Sequence, residues 1–134
     1  NTDFDREQER TIKSLVNQSN CQSLVGKTSL LELVDILKNC DALISPDSGP
    51  VHIATALDIP VVGLYAVARP ELSGPFASLQ YTVDKYPEAV RLFLGKNVKE
   101  AKWHERVHDP RAMDLISVEE VAQATLRALK IQQQ

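Results

Sequence analysis

Apolar and polar positions repeat along this chain at two different periods, and the switches between them mark out short elements. Around residues 6–16, Ile12, Leu15 and Val16 share one side of a 3.6-residue repeat with charges opposite, which predicts an amphipathic helix. Residues 21–25 read as a short strand. Leu30, Leu31, Leu33, Val34, Ile36 and Leu37 make the broad apolar stripe of a second helix, capped by Thr28 or Ser29. Ala42–Ser45 and Val61–Tyr65 are compact runs of strand type, and Val51–Leu57 between them reads as a short helix. A turn-rich segment follows at 66–79, then a last short strand near 81–83. Pro87–Leu94 is predicted helical, with Pro87 in its first turn and Gly95 ending it. Residues 96–114 are irregular and charged. Ser117 with Glu120 three positions later forms a capping box that opens a final helix, 117–131, followed by a frayed end.

Helix and strand alternating at this spacing imply βαβ crossovers, a parallel sheet with flanking helices and a Rossmann-like α/β fold. The chain reads as one domain, residues 1–134. Ligands of such sheets gather at the carboxyl ends of the strands. Thr28, Asp47–Gly49 and Ala66–Arg69 all follow predicted strand ends. The segment 66–79, with Pro70, Gly74 and Pro75, is expected to be polar, mobile and suited to covering a ligand, with Arg69 on its surface. No strand precedes the first helix, so the sheet is expected to have an unpaired edge, and a homodimer follows as an expectation.

Composition narrows the classes. A net charge of −3 argues against wholesale nucleic-acid binding. The apolar runs fall well short of the roughly 18–20 residues that span a bilayer, and the opening Asn1–Glu9 has no apolar signal segment. Cys21 and Cys40 form no CxxC pair and are expected as small core side chains in a reducing, cytoplasmic setting. Between Lys85 and Arg111, seven Lys/Arg face four Asp/Glu, with Trp103 among them. This reads as a solvated face, with peripheral contact to an anionic membrane as the alternative.

The chemistry concentrates in Ser45–Ala54. Ser48 is a good helix N-cap, Gly49 lets a ligand approach the backbone, and Pro50 fits the first turn, where its missing N–H costs nothing. The exposed N–H groups of such a turn, with the helix dipole behind them, suit phosphate. Asp47 reads as a structural cap, or as a side chain that orders the loop or accepts sugar hydroxyls, since a carboxylate repels a diphosphate. His52 in the first turn can donate to a phosphate or sugar oxygen as neutral imidazole, or sit as a core-edge histidine. It has no second His or Cys at metal-ligand spacing, because His104 and His108 are remote in sequence, so no metal is expected.

The stretch from Asp47 to Tyr65 closely resembles the signature of the bacterial ADP-heptose:lipopolysaccharide heptosyltransferases, glycosyltransferase family nine: Asp-(Ser/Thr)-Gly-Pro-x-His-(Leu/Ile)-Ala-x-Ala-Leu, a short turn, Pro and an apolar strand. Ser48 stands where many members carry Thr. The likeness extends to Gly26–Leu33 upstream and to Ala68–Pro70 and Gly74–Phe76 downstream. The resemblance implies a GT-B enzyme, of which this chain is part of the C-terminal, donor-binding lobe. It implies an inverting transfer of heptose from ADP-heptose to the lipopolysaccharide inner core, at the inner face of the bacterial inner membrane. The acceptor would be bound by an N-terminal lobe that also supplies the catalytic base, so no catalytic residue is expected in these residues, and no cofactor. The donor-site residues it implies are Asp47, Ser48, Gly49, Pro50 and His52, with Thr28 at the adenine and Glu7, or else Glu9, at the ribose. Two rivals remain: the lobe of another GT-B enzyme using a UDP-sugar (a glycosyltransferase or an epimerase), and a non-catalytic nucleotide-binding module.

Overall fold

The computed structural model describes residues 3–16 and 18–132; of the frayed end expected at 132–134, Gln132 still closes the last helix and 133–134 lie outside the described residues. The chain divides into two compact units, residues 1–35 and 36–134.

The first unit holds α1 (Asp3–Leu15), a 3₁₀ turn at Gln18–Asn20 and most of α2 (Leu30–Leu37). Helix α1 starts ahead of the expected Arg6, with Asp3 and Asp5 in its first turn and Lys13 in its last, each sign complementing the helix dipole. None of its side chains is buried, and Ile12 is 50% exposed. The strand expected at 21–25 does not form: this stretch is irregular and ends in a turn at Val25–Gly26. A strand exists only in a ladder, and residues 21–25 belong to none of the described ladders. Cys21 is therefore exposed rather than in a core, and Cys40 is only half-buried, its thiol donating to the Ile36 carbonyl at 3.4 Å. Of the two candidate caps for α2, Ser29 takes the role. Its Oγ accepts from the Glu32 amide at 3.3 Å, while its own amide donates to Glu32 Oε2 at 2.7 Å.

In the second unit the parallel sheet forms in the order β1 (Leu43–Pro46), β2 (Val61–Tyr65), β3 (Val83–Asp84). Strand β2 is central, and its side chains alternate between the two faces as a pleat requires. Val61 meets Val51 and Ala54 of α3 (Gly49–Ala56). Val62 meets Tyr81, Val83 and the small residues Ala124 and Ala128 of the last helix. A third cluster lies past the strand ends: Ala66, Tyr86, Ala89, Val90, Ala101, Val107 and Ala112.

Segment 66–79 is not the polar, mobile cover expected of it. Ala66, Ala68, Pro70 and Pro75 are buried, and the segment folds into the single-turn α4 (Pro70–Ser73) and a 3₁₀ stretch, Phe76–Tyr81. Gly74 is needed there, because a Cβ would collide with the carbonyl oxygen of Pro70, to which the Gly74 amide donates at 2.7 Å. Then α5 (Tyr86–Leu94) ends at Gly95 in the left-handed region, φ +67°. No described helix is long and apolar enough to cross a membrane.

The final helix, α6 (Val118–Gln132), opens as predicted: the Ser117 amide and hydroxyl donate to Glu120 at 3.1 and 2.8 Å, and Ser117 Oγ accepts from the Glu120 amide at 3.2 Å. Lys85, just after β3, adds an ion pair to Glu120 at 2.7 Å. The Lys85 bond first, and then those from Ser117, hold the Glu120 carboxyl down at about 2, from 4.5. A depressed folded-state pKa means stability that is complete above the unfolded value and lost as pH falls through the folded one. Glu120→Gln should therefore flatten the loss of stability between about pH 4.5 and 2, read as urea midpoints across that range.

Candidate functional site

Strand β1 ends at Pro46, two residues turn the chain, and α3 begins at Gly49. Ser48 holds the N-cap position in extended conformation, φ −157° and ψ 162°, but its side chain makes no capping bond, contrary to expectation. The hydroxyl lies 2.7 Å from Ser45 Oγ instead. Ser45 sends its one proton to the Pro46 carbonyl at 3.0 Å, which leaves Ser48 as donor to Ser45. The start of α3 is thus left uncapped, and neither the Ser48 nor the Gly49 amide has an acceptor among the described residues. Gly49 itself is exposed, and a Cβ there would meet nothing within 4 Å. Among the described residues no neighbour requires glycine at this place, and its φ is not positive. Pro50 occupies the first turn and His52 is exposed on the same turn.

Asp47 is half-buried and bonded to Arg106, whose Nη2 lies 3.1 Å from Oδ2. Beside this pair, past the carboxyl ends of β1 and β2, opens a cavity of about 340 Å³. It is lined by Pro46, Asp47, Leu64–Ala68, Arg106 and Met113. Tyr65 contributes a buried ring whose hydroxyl donates to the Ser73 carbonyl at 3.1 Å. Burial, and then the charge of Asp47, push the phenol up to about 12, so it stays a neutral donor at physiological pH.

Arg106 comes from the irregular stretch 96–114, which is pinned at several points. The Val107 amide donates to the Val67 carbonyl at 2.9 Å, and the Val107 side chain is wholly buried. The Tyr86 hydroxyl donates to the Glu105 carbonyl at 2.7 Å, and Lys96 pairs with Glu105 at 2.6 Å. Arg69 closes the arrangement. Rather than lying free on the surface, its Nη2 donates to the carbonyls of Val98 and Ala101 at 2.7 and 3.0 Å. Its guanidinium carbon lies 5.3 Å from the Tyr86 ring centre and 5.5 Å from that of Trp103.

Asp47, Ser48, Gly49, Pro50 and His52 therefore share one turn, joined by two residues that sequence reasoning missed. Tyr65 was legible only as the last residue of a strand. Arg106 carried no signal at all, since it stands 59 residues from Asp47 in an irregular segment.

In the first unit, Thr28 lines a separate cavity of about 500 Å³ with Asp5, Gln8, Glu9, Ile12, Val25 and Gly26. Glu9 lies on it and Glu7 does not, because two residues turn a helix through roughly 200°. The Glu9 carboxylate, bonded first to Lys13 at 2.6 Å and then to Ser23, is held below its usual range.

A parallel α/β unit with an uncapped Asp-Ser-Gly-Pro helix start past its strand ends is a lobe of the Rossmann-like class. The sequence comparisons name the family: the model of glycosyltransferase family 9 (heptosyltransferase) matches residues 2–107, and the chain belongs to that family. A lipopolysaccharide core heptosyltransferase, OpsX, of Haemophilus influenzae is 37% identical over 99 residues, which is 74% of this chain and 28% of that protein. A lipooligosaccharide heptosyltransferase 2 of the same organism is 35% identical over 89 residues, 66% of this chain and 25% of its own length. Lipopolysaccharide heptosyltransferase 2 of Salmonella typhimurium is 38% identical over 60 residues, covering 45% and 17%. The matched stretch thus spans about a quarter of the first two relatives. No solved structure matches the chain.

Because Arg69 ties the Val98 and Ala101 carbonyls to Tyr86 of α5, its loss should be felt in stability. Arg69→Ala removes two charge-assisted bonds and two ring contacts and should cost about 2–4 kcal/mol in urea denaturation. Arg69→Lys should recover only part, since an ammonium lacks the planar fork that stacks between rings.

Proposed function

We propose that this chain is the donor-binding part of a GT-B heptosyltransferase, one domain of an enzyme that transfers heptose from ADP-L-glycero-D-manno-heptose to the lipopolysaccharide inner core with inversion. The observation that carries this reading is the uncapped start of α3. The Ser48 and Gly49 amides meet no acceptor among the described residues, and Gly49 leaves open space where a side chain would stand. Family membership supports the reading, as do relatives whose names are heptosyltransferases.

The chemistry follows from the turn. In an inverting transfer the departing group is a nucleoside diphosphate, and negative charge grows on it as the sugar leaves. Backbone N–H groups at the start of a helix are fixed donors that need no rearrangement as that charge appears. His52 in the first turn adds a side-chain donor toward phosphate or sugar oxygens. Asp47 orders the turn and accepts sugar hydroxyls rather than touching phosphate. Thr28 takes the adenine. Glu7 or Glu9 takes the ribose hydroxyls, and the place of Glu9 on the cavity that Thr28 lines supports Glu9. The general base and the acceptor site belong to a second lobe, at the cytoplasmic face of the inner membrane.

Calorimetric titration of the chain with ADP and UDP, each repeated on Gly49→Val, tests this. ADP should bind more tightly than UDP. Gly49→Val should weaken ADP at least tenfold at an unchanged melting temperature, because the added methyls enter open space rather than the core. A preference for UDP would point to another GT-B enzyme, and equal binding by Gly49→Val would take the donor off this turn.

A further inference from the structure

Arg106 is a cation delivered to the proposed donor turn by a segment outside the signature motif, and it is only partly used. One of its five N–H donors faces Asp47 Oδ2, at 3.1 Å, and among the described residues the guanidinium has no other acceptor. Its side chain is 47% exposed, so it can turn. Its backbone cannot move far, because the next residue, Val107, is wholly buried and bonded to Val67, and the preceding Glu105 carbonyl is held by Tyr86. It borders the 340 Å³ cavity, and its carboxylate partner is the residue immediately before Ser48 and Gly49, with their free amides.

From this placement we infer that Arg106 binds the diphosphate of a nucleotide seated on the Asp47–Gly49 turn and stabilises it as a leaving group. The inference rests on the reading of that turn as the donor site.

Two features make an arginine suited to the work. Its planar fork spans two phosphate oxygens at once, and it stays protonated throughout the physiological range. With no ligand bound, the guanidinium neutralises Asp47, whose carboxylate would otherwise repel an incoming diphosphate. With ligand bound, the same cation swings one bond further and faces the phosphates, while Asp47 is left to the sugar hydroxyls. The exchange costs little, because an exposed ion pair of this kind is weak. The anchors at Glu105 and Val107 keep the swing short. Arg69, expected on the surface of segment 66–79, is committed to Val98 and Ala101, and so serves by holding the segment that carries Arg106.

The test is titration of the whole chain with ADP, AMP and adenosine, at low and moderate salt, on the natural sequence, Arg106→Gln and Arg106→Lys. Arg106→Gln should weaken ADP roughly tenfold, AMP less, and adenosine not at all, with a shallower salt dependence. Arg106→Lys should recover only part of the ADP affinity, because an ammonium keeps the charge but lacks the fork that spans two phosphate oxygens. The melting temperature of Arg106→Gln should stay within about 2 °C of the parent, as expected for an exposed pair. An equal loss for adenosine and ADP would assign Arg106 a merely structural role, and no loss for either would remove it from the site; both overturn the inference and leave the donor reading standing. If the natural chain binds neither ADP nor adenosine, the donor reading fails and this inference with it.

Discussion

The second unit depends on one strand. β2 is hydrogen-bonded on both edges and covered on both faces, so Val61, Val62, Gly63 and Tyr65 are all buried. A strand so enclosed has no freedom of register, because a slip of one residue would turn each apolar side chain to the opposite layer. Fixing β2 fixes β1 beside it and the turn into α3, since Leu43 to Pro46 pair with Val61 to Leu64 residue by residue. It also fixes Tyr65 at the carboxyl end, with its ring beneath the cavity. The crossover 47–60, which opens with the Asp47–Ser48 turn into α3, is thus held at both ends by one ladder.

Residues 96–114 illustrate order without regular secondary structure. They hold only a 3₁₀ turn at Met113–Leu115, yet Ala101, Val107 and Ala112 are buried in the same cluster as Tyr86, Ala89 and Val90. Small apolar residues spaced among charges give no periodic signal, but each fits a gap next to α5. The polar groups between them are satisfied locally. Lys96 meets Glu105, Asp109 takes the Arg111 amide and guanidinium, and the Val98 and Ala101 carbonyls take Arg69. The bonds to Arg111 hold Asp109 at about 2. A charged, irregular stretch in the sequence becomes in this way an ordered arm that brings one arginine, Arg106, to Asp47.

The same contrast explains segment 66–79. Proline and glycine in a polar context argue for a mobile loop when the neighbours are unknown. In the fold, Pro70 and Pro75 are buried, Gly74 closes a turn too tight for a Cβ, and the Ser78 hydroxyl accepts from the Val61 amide at 3.1 Å. Turn chemistry marked where the chain bends, and packing decided that the bends are fixed.

Local physics, readable residue by residue, determined a good deal of this protein. Strand β2, the ends of α5 and α6 and their capping residues, and the Ser48–Gly49–Pro50 helix start all follow from apolar spacing and cap chemistry, which act over a few residues. The signature from Asp47 to Tyr65 likewise identified the family, because its residues are contiguous. Tertiary structure alone decided what lies between distant residues. It withheld a ladder from Cys21–Val25, sent the Ser48 hydroxyl to Ser45 rather than to α3, seated Arg69 between two rings, and brought Arg106 to Asp47. Each of these depends on a partner from elsewhere in the chain or on competition for a single proton, and neither spacing nor propensity encodes which partner wins.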